Sequence, residues 1–193
     1  MASGGAFDFE SGTYDLEDPN NRILSASIWG DLHPAGWGAA EDGEVETILA
    51  FLREAAKYDA LLGWNIDEFD LPLLGRRASA CRIHLPTLPQ TLDAMRVHYH
   101  MLRKVEVSDA LGYVARRYLG MGKLPIDHER MLGAFESDRE GLKAYNLRDS
   151  ELVYLLDRKF GYWATFDAIV RRAGLDDKGA RAFAVPSKMK ENG

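Results

Sequence analysis

Residues 60–74 read Ala-Leu-Leu-Gly-Trp-Asn-Ile-Asp-Glu-Phe-Asp-Leu-Pro-Leu-Leu. The apolar run 60–64 has the length of a buried strand, and a proline such as Pro72 is tolerated in the first turn of a helix. The stretch therefore predicts a strand, an acidic loop and a helix in succession, as in an α/β domain. Asp70 has the position of a helix N-cap, and a purely capping role explains it at least as well as a functional one.

Working outward from this unit, the spacing of apolar residues predicts the remaining elements. Short strands are expected at 6–10, 22–32 and 36–39, the last after a turn at Pro34, with a helix over 44–58. A helix over 71–80 and a fifth strand over 91–95 follow. The rest of the chain is predicted to be largely helical. The helices expected there are 109–119, with Ser108 as its N-cap and Gly120 as its stop, 139–159 and 162–173.

The composition is that of a single globular domain. The chain has 193 residues, of which 46% are hydrophobic and 28% charged. We expect one domain over 1–185 and a frayed polar tail over 186–193. The lone cysteine, Cys81, excludes an internal disulfide, and no Cys or His cluster has zinc-ligand spacing. No apolar run could span a bilayer, so no membrane partner and a cytoplasmic location are expected.

The charge balance bears on possible partners. The net charge is −6 and the isoelectric point is about 5.4, which argues against a nucleic-acid partner because phosphate binding usually needs a basic face. Divalent cations would reverse that conclusion, since they neutralise acidic ligands and attract phosphate.

Two carboxylates, Asp8 and Glu10, lie two residues apart in a predicted strand between two phenylalanines. Residues at this spacing point to one face of a strand, where the two acids repel each other unless a cation holds them. Hard oxygen ligands suit Mg²⁺ or Mn²⁺. Taken alone, this pair is explained slightly better as a solvated strand face.

Tyr145 and Asp149 stand four residues apart in a predicted helix and so share one face of it. A phenol one turn before a carboxylate can reach the same small site. The pattern is short and common, and an ordinary helix surface explains it equally well on its own.

In combination and in this order, the three patterns resemble the three motifs of the DEDDy 3′–5′ exonucleases. The resemblance is closest to the proofreading domain of family B DNA polymerases. It covers roughly residues 6–160, including the segment 110–120. The matching motifs are Asp8-x-Glu10, then Asn65 followed by Phe69-Asp70, then Tyr145-x-x-x-Asp149.

The resemblance implies a ribonuclease H-like fold, with a central mixed five-stranded sheet flanked by helices and a helical C-terminal part. It implies a metal-dependent exonuclease that hydrolyses DNA, preferably at single-stranded 3′ ends, to nucleoside 5′-monophosphates. Two divalent cations, Mg²⁺ or Mn²⁺, are the implied cofactors. No polymerase palm or fingers follow the three motifs in the sequence, which ends at Gly193, so we expect a free-standing exonuclease or an excised domain.

The resemblance also implies roles for individual residues. Asp8 would bridge both cations, Glu10 and Asp149 would complete the first site, and Asp70 would support the second. Tyr145, helped by Glu10, would orient the attacking water, because a phenol with a pKa near ~10 is a poor general base at neutral pH. Asn65 and Phe69 are candidate substrate-binding residues, although core packing explains Phe69 at least as well.

Alternatives stay open at this point. The same chemistry serves 3′–5′ exoribonucleases, and a non-catalytic nucleic-acid-binding module would use the same fold. Replication or repair proteins are possible partners, and the oligomeric state is left open. Some basic residues could contact the backbone of a single strand, namely Arg76, Arg77, Arg103, Lys104, Arg116, Arg117 and Lys123. The spacing of His98, His100 and His128 suits no metal site.

Overall fold

Five strands form one mixed sheet in the computed structural model of the chain, which describes residues 3–102, 107–125 and 131–174. In chain order they are β1 (Gly4–Ser11), β2 (Ile23–Gly30), β3 (His33–Ala39), β4 (Ala60–Gly63) and β5 (Gln90–Asp93). Their order across the sheet is β3-β2-β1-β4-β5. The β1–β2 and β2–β3 pairs are antiparallel, whereas β1–β4 and β4–β5 are parallel. The predicted α/β class and five-stranded mixed sheet are confirmed.

Helices flank the sheet and make up most of the second half of the chain. They are α1 (Glu44–Ala55), α2 (Asp70–Ala80), α3 (Ala94–Leu102), α4 (Leu111–Leu119), α5 (Met131–Ser137), α6 (Arg139–Phe160) and α7 (Tyr162–Ala173). Along the described part of the chain, none of them combines the length and the apolar character that crossing a membrane requires.

Alternate residues of β1 face the two sides of the sheet, and each side has its own core. Phe7 and Phe9 point towards α1, where their ring centroids lie 5.5 and 4.6 Å from that of Phe51. Ala6, on the other face, packs with residues of α3, α4 and α6, among them Leu152. Asp8 and Glu10 share the face of Ala6, as strand periodicity predicted, and α6 covers that face.

The face of β2 beneath α6 is polar. Ser25 and Ser27 are fully buried there. The Ser27 hydroxyl donates to the main-chain oxygen of Asn146 at 3.0 Å and shares a hydrogen bond with the hydroxyl of Ser150. Small hydroxyl side chains let the helix approach the strand closely while their polar atoms stay paired. This contact sets the distance between α6 and the sheet.

Several predicted boundaries differ from the structure. β3 starts at His33, so Pro34 lies inside the strand and not in a preceding turn; an edge strand tolerates a proline because one side of it makes no ladder hydrogen bonds. The cap at Ser108 is wrong, because α4 begins at Leu111 after Ala110, and the Ser108 hydroxyl instead accepts from the Ala110 N–H. The stop at Gly120 is confirmed by its left-handed φ of 69°.

The prediction that Asp70 caps α2 is also wrong. The cap position is occupied by Phe69, whose side chain makes no capping hydrogen bond, and Asp70 is the first residue of the helix. The carboxylate of Asp70 is therefore available to another partner. The predictions for Arg103, Lys104, His128 and the 186–193 tail lie outside the described residues.

Candidate metal centre

Three carboxylates from two elements meet above the sheet. One oxygen atom from each of Asp8, Glu10 and Asp149 lies within 4.8 Å of the other two. Strand β1 supplies the first two and α6 supplies the third. Glu10 and Asp149 are 7% and 2% exposed, and Asp8 is half-buried. Three acids this close and this shielded from water form an arrangement that can hold a cation.

Asp70 joins the site from α2. β4 pairs with β1 only from Gly4 to Ala6, so the N–H of Phe9 lies beyond the parallel ladder and donates to Asp70 Oδ1 at 3.1 Å. This bond satisfies a buried main-chain donor and fixes the carboxylate beside β1. Asp70 is 3% exposed and lies outside the group of three, but it lines the same cavity.

That cavity, of about 480 Å³, opens at the carboxyl ends of the parallel strands β1 and β4. All four acids line it, and so do Asn65 and Phe69. Phe69 also packs against the core between the sheet, α1 and α2, which is the structural role considered for it, and its contact with substrate stays a prediction. Asn65 has a left-handed φ of 66°. The full lining is Asp8, Phe9, Glu10, Ser11, Gly12, Thr13, Tyr14, Trp64, Asn65, Phe69, Asp70, Leu111, Lys123 and Asp149.

Tyr145 lies next to the cavity rather than in its lining. It is 3% exposed and packs in a small core with Leu24 and Leu142. Burial raises the pKa of its phenol well above the usual value, and the negative charges of Asp149 and Glu10 raise it further. The ring is therefore held close to the acids, and the phenol keeps its proton at neutral pH.

The four carboxyl groups perturb one another strongly. Burial, followed by the charge of Asp149, raises the pKa of Glu10 to about 8. Burial raises the pKa of Asp70 to about 7, although the hydrogen bond from Phe9 lowers it in part. Burial and the neighbouring carboxylates raise the pKa of Asp8 well above its usual range. Without a cation, these groups therefore retain protons near neutral pH.

A lysine supplies the positive charge that faces the acids. Lys123 Nζ lies 2.5 Å from Asp149 Oδ2 and 5.8 Å from the centroid of the Tyr145 ring. Burial lowers the pKa of the ammonium group, but the charges of Asp149 and Asp8 and the hydrogen bond to Asp149 together raise it above its usual value. The sequence placed Lys123 only among residues that could follow a single strand. It lies in the segment between α4 and α5, where no periodic pattern indicates the direction of a side chain.

Asn146 is a residue that the sequence analysis missed. Its amide Nδ2 donates to Asp8 Oδ2 at 2.8 Å, and its Oδ1 accepts from Ser25 at 3.3 Å. The residue is completely buried. Its position three residues before Asp149 places it on the same helix face, and this spacing could have indicated that Asn146 lies near the acids.

The donor set fits a hard divalent cation. Asp149 Oδ1 is buried, and among the described residues no group donates a hydrogen bond to it. A buried, unpaired carboxylate oxygen costs free energy, which a cation would recover. All candidate ligand atoms are carboxylate oxygens, which suit Mg²⁺ or Mn²⁺ better than softer metals.

Other charged candidates have structural roles. Asp67 and Glu68 are exposed, and their carboxylates lie 2.9 and 2.6 Å from the guanidinium group of Arg96. Arg76 pairs with Glu17, and Arg77 pairs with Glu44. The last two arginines therefore attach a loop and a helix to α2 and do not line the cavity.

A scan against protein-family models and a search of curated proteins found no match to this chain. The basis for a functional assignment is therefore the geometry and the chemistry of the site.

Proposed function

We propose that the chain is a 3′–5′ exodeoxyribonuclease that depends on two divalent cations and releases nucleoside 5′-monophosphates. The observation that carries the proposal is the convergence of Asp8, Glu10, Asp70 and Asp149 on one cavity from three separate elements. The fold we propose with it is ribonuclease H-like. The antiparallel β1–β2–β3 unit, with β4 and β5 added in parallel, supports that fold.

The cavity suits the end of a chain rather than its middle. Its volume of about 480 Å³ is in the range of a pocket for one small ligand, such as a terminal nucleotide, and its lining includes polar and aromatic side chains. The four acids line this space together with Phe69 and Asn65. A terminal phosphodiester would lie over the carboxylates with its base beside the aromatic side chains, and this arrangement supports exonucleolytic cleavage.

The proposed reaction is hydrolysis. The water oxygen loses a proton and bonds to the terminal phosphorus, the bond from phosphorus to the 3′-oxygen of the preceding nucleotide breaks, and that oxygen takes up a proton as the 5′-monophosphate leaves. Asp8, Glu10 and Asp149 would hold one cation and Asp70, with Asp8, the other. When bound, the pair would make the attacking water more acidic and stabilise the leaving oxygen.

The side chains around the acids orient the reaction. Asn146 fixes the Asp8 carboxylate through its 2.8 Å hydrogen bond. Tyr145 stays protonated because burial and Asp149 raise its pKa, so its hydroxyl is suited to positioning water and not to removing a proton. The ammonium group of Lys123 is placed to compensate the charge of Asp149, or that of a substrate phosphate.

The test is a single-turnover assay with 3′-labelled single-stranded DNA in Mg²⁺ or Mn²⁺, compared with EDTA. Wild-type protein is expected to release labelled 5′-mononucleotides only with the metal. Asp8→Ala is expected to lose at least about 1,000-fold in rate, because a metal ligand contributes several kcal/mol of transition-state stabilisation. A matched RNA oligomer in the same assay measures the preference for DNA over RNA, since hydrolysis makes no use of the 2′-hydroxyl group.

Asp67→Ala is the matched control, because this acid is exposed and paired with Arg96. Its rate is expected to stay within about twofold of wild type. Absence of metal-dependent release by wild-type protein, or an Asp8→Ala rate equal to that of wild type, would refute the nuclease proposal.

A further inference from the structure

A buried carboxyl group that the proposed reaction does not use lies beyond the four acids. Asp93 is the last residue of β5, is in register with Gly63 at the end of the parallel strand β4, and is 3% exposed. It is not among the residues that line the cavity. Because burying a carboxylate is costly unless its partners compensate it, the contacts of Asp93 indicate what it does.

Four main-chain N–H groups surround this carboxylate. Oδ1 accepts from the N–H of Asn65 at 3.1 Å and Oδ2 from that of Asp67 at 3.2 Å, both in the loop that follows β4. Oδ1 also accepts from the N–H groups of Met95 at 3.0 Å and Arg96 at 3.4 Å, in the first turn of α3. One side chain thus ties the loop between β4 and α2 to the start of α3.

The ionised form of Asp93 suits these donors. Burial raises its pKa to about 6, and the hydrogen bonds from the loop and from α3 limit the rise. The group is therefore mostly ionised at neutral pH, and an ionised carboxylate only accepts hydrogen bonds. Hydrogen bonds to a charged acceptor are stronger than those between neutral groups, so the loop is held firmly at both of its N–H groups.

The loop held in this way contains a residue in an unfavourable conformation. Asn65 has a left-handed φ of 66° and lines the cavity. A residue other than glycine keeps such a φ only where its surroundings impose it. The carbonyl oxygen of Asn65 accepts from the N–H of Phe69 at 3.1 Å, and its own N–H donates to Asp93. These two bonds fix the backbone from which the amide side chain projects.

We propose that Asp93 is a positioning residue, which holds the loop backbone so that the Asn65 side chain is presented to substrate in the cavity. This inference rests on the proposed exonuclease function. Asp93 lies outside the cavity lining and acts only through Asn65. Its contribution therefore belongs to the affinity for DNA and not to the chemical step.

Asp93→Ser separates this role from the support of α3. Serine is as good a helix cap as aspartate, so it keeps a bond to the first turn of α3, but its single short hydroxyl group cannot also hold the loop. The melting temperature is expected to fall by at most about 8 °C. Asp67→Ala is the matched control, because Asp67 donates to Asp93 through its main chain, which this substitution keeps.

The first measurement is the Kd of a 5′-labelled single-stranded DNA oligomer, by fluorescence anisotropy with full-length protein in Ca²⁺ to slow hydrolysis. Asp93→Ser is expected to raise Kd about 5- to 30-fold, the factor for losing one or two hydrogen bonds that hold the site. In Mg²⁺, KM is expected to rise by a similar factor while kcat stays within about threefold of wild type. Asp67→Ala is expected to stay within about twofold in each quantity.

A double-mutant cycle shows whether Asp93 acts through Asn65. Asn65→Gly removes the side chain and keeps the backbone conformation, because glycine adopts a left-handed φ freely. It is expected to raise Kd at least as much as Asp93→Ser. The double variant is expected to match Asn65→Gly within about twofold, since a side chain that is absent cannot be positioned.

Two further variants and titrations complete the design. If Asp93→Ser does not fold, Asp93→Asn enters the same cycle; it keeps one acceptor oxygen and is expected to raise Kd less than Asp93→Ser would. Calorimetric titration with Mn²⁺ is expected to give wild-type affinity within about threefold for Asp93→Ser, because Asp93 is not one of the four acids in the cavity.

The outcomes separate this inference from the function on which it rests. If wild-type protein binds and hydrolyses DNA and Asp93→Ser matches it, the positioning role is wrong and the nuclease proposal stands. If the effects on Kd add in the double variant, or Mn²⁺ affinity falls as much as DNA affinity, Asp93 does not act through Asn65 and the inference is again wrong. If wild-type protein neither binds the oligomer nor releases nucleotides, both proposals fail.

Discussion

Asp8 is held by a neighbour that is itself fully buried. Asn146 donates to Asp8 and accepts from Ser25, so one amide joins α6, β1 and β2. A buried amide in this position orients the carboxylate before any cation arrives. Side chains that orient a metal ligand in this way contribute to metal affinity.

Asn146→Ala is expected to lower the free energy of unfolding by about 1–3 kcal/mol, because buried partners are left without a hydrogen bond. It is also expected to weaken Mn²⁺ binding by about 10- to 100-fold. Chemical denaturation and calorimetric titration measure the two effects. Asn20→Ala, at an exposed loop position, is the control and should change neither. Unaltered Mn²⁺ affinity in Asn146→Ala would contradict the orienting role.

At the residue scale, sequence periodicity predicted which side chains share a face but not which of them meet. Asp8 and Glu10 followed from the two-residue repeat of a strand, and Tyr145 and Asp149 from the turn of a helix. Lys123 could not be placed in this way, since a loop has no repeat. Its position is fixed by a tertiary contact, the ion pair with Asp149 on α6.

At the scale of elements, Asp70 joins β1 to α2. Its carboxylate accepts from Phe9 where β4 no longer pairs with β1. One side chain therefore accepts a hydrogen bond from a main-chain N–H of β1 that β4 does not reach, and also places a carboxylate in the cavity. The sequence indicated a cap at this position because a carboxylate before an apolar helix usually caps it, and tertiary pairing with β1 overrode that preference.

The two roles of Asp70 can be separated by substitution. Asp70→Asn keeps an oxygen to accept from Phe9, so metal-free thermal stability is expected to equal or exceed that of wild type, because one charge is removed from the cluster. Asp70→Ala leaves the Phe9 N–H unpaired and is expected to lose about 1–3 kcal/mol of stability. Thermal unfolding in EDTA measures both. Equal destabilisation by the two substitutions would show that the hydrogen bond from the Phe9 N–H does not account for the contribution of Asp70 to stability.

Most of the order of elements could be predicted because most strands and helices carry a clear local pattern, as in α6 and α7, whereas the short helices α3 and α5 were not predicted individually. Their boundaries were harder to predict. β3 includes Pro34 because it lies at the sheet edge, and edge position is a property of the whole sheet. The serines of β2 are interior because α6 docks on them, and the sequence of the strand alone does not show this.

At the scale of the whole molecule, the acidic cluster couples stability to pH and to metal. The carboxyl pKa rises from 4.5 to about 8 for Glu10 and from 3.8 to about 7 for Asp70. In metal-free protein the folded state therefore binds more protons than the unfolded state between these values, and stability falls as pH rises through that window. The overall charge of −6 adds repulsion in the same direction.

We expect the melting temperature in EDTA to fall between about pH 5 and pH 8, because raised carboxyl pKa values make ionisation unfavourable in the folded state. With saturating Mg²⁺ the fall is expected to shrink or reverse, since metal binding favours deprotonated ligands. Glu10→Gln should flatten the curve in EDTA. A melting temperature that is constant or rises over this range without metal would contradict the charge balance described for the cluster.

The most direct test of the central claim is anomalous diffraction from crystals soaked with Mn²⁺ and a deoxynucleoside 5′-monophosphate, the proposed product. Two anomalous peaks are expected in the cavity, roughly 3.5–4 Å apart, with Asp8 between them and Glu10, Asp70 and Asp149 around them. Crystals that hold the nucleotide in the cavity but show no anomalous peak among these four carboxylates would contradict the account.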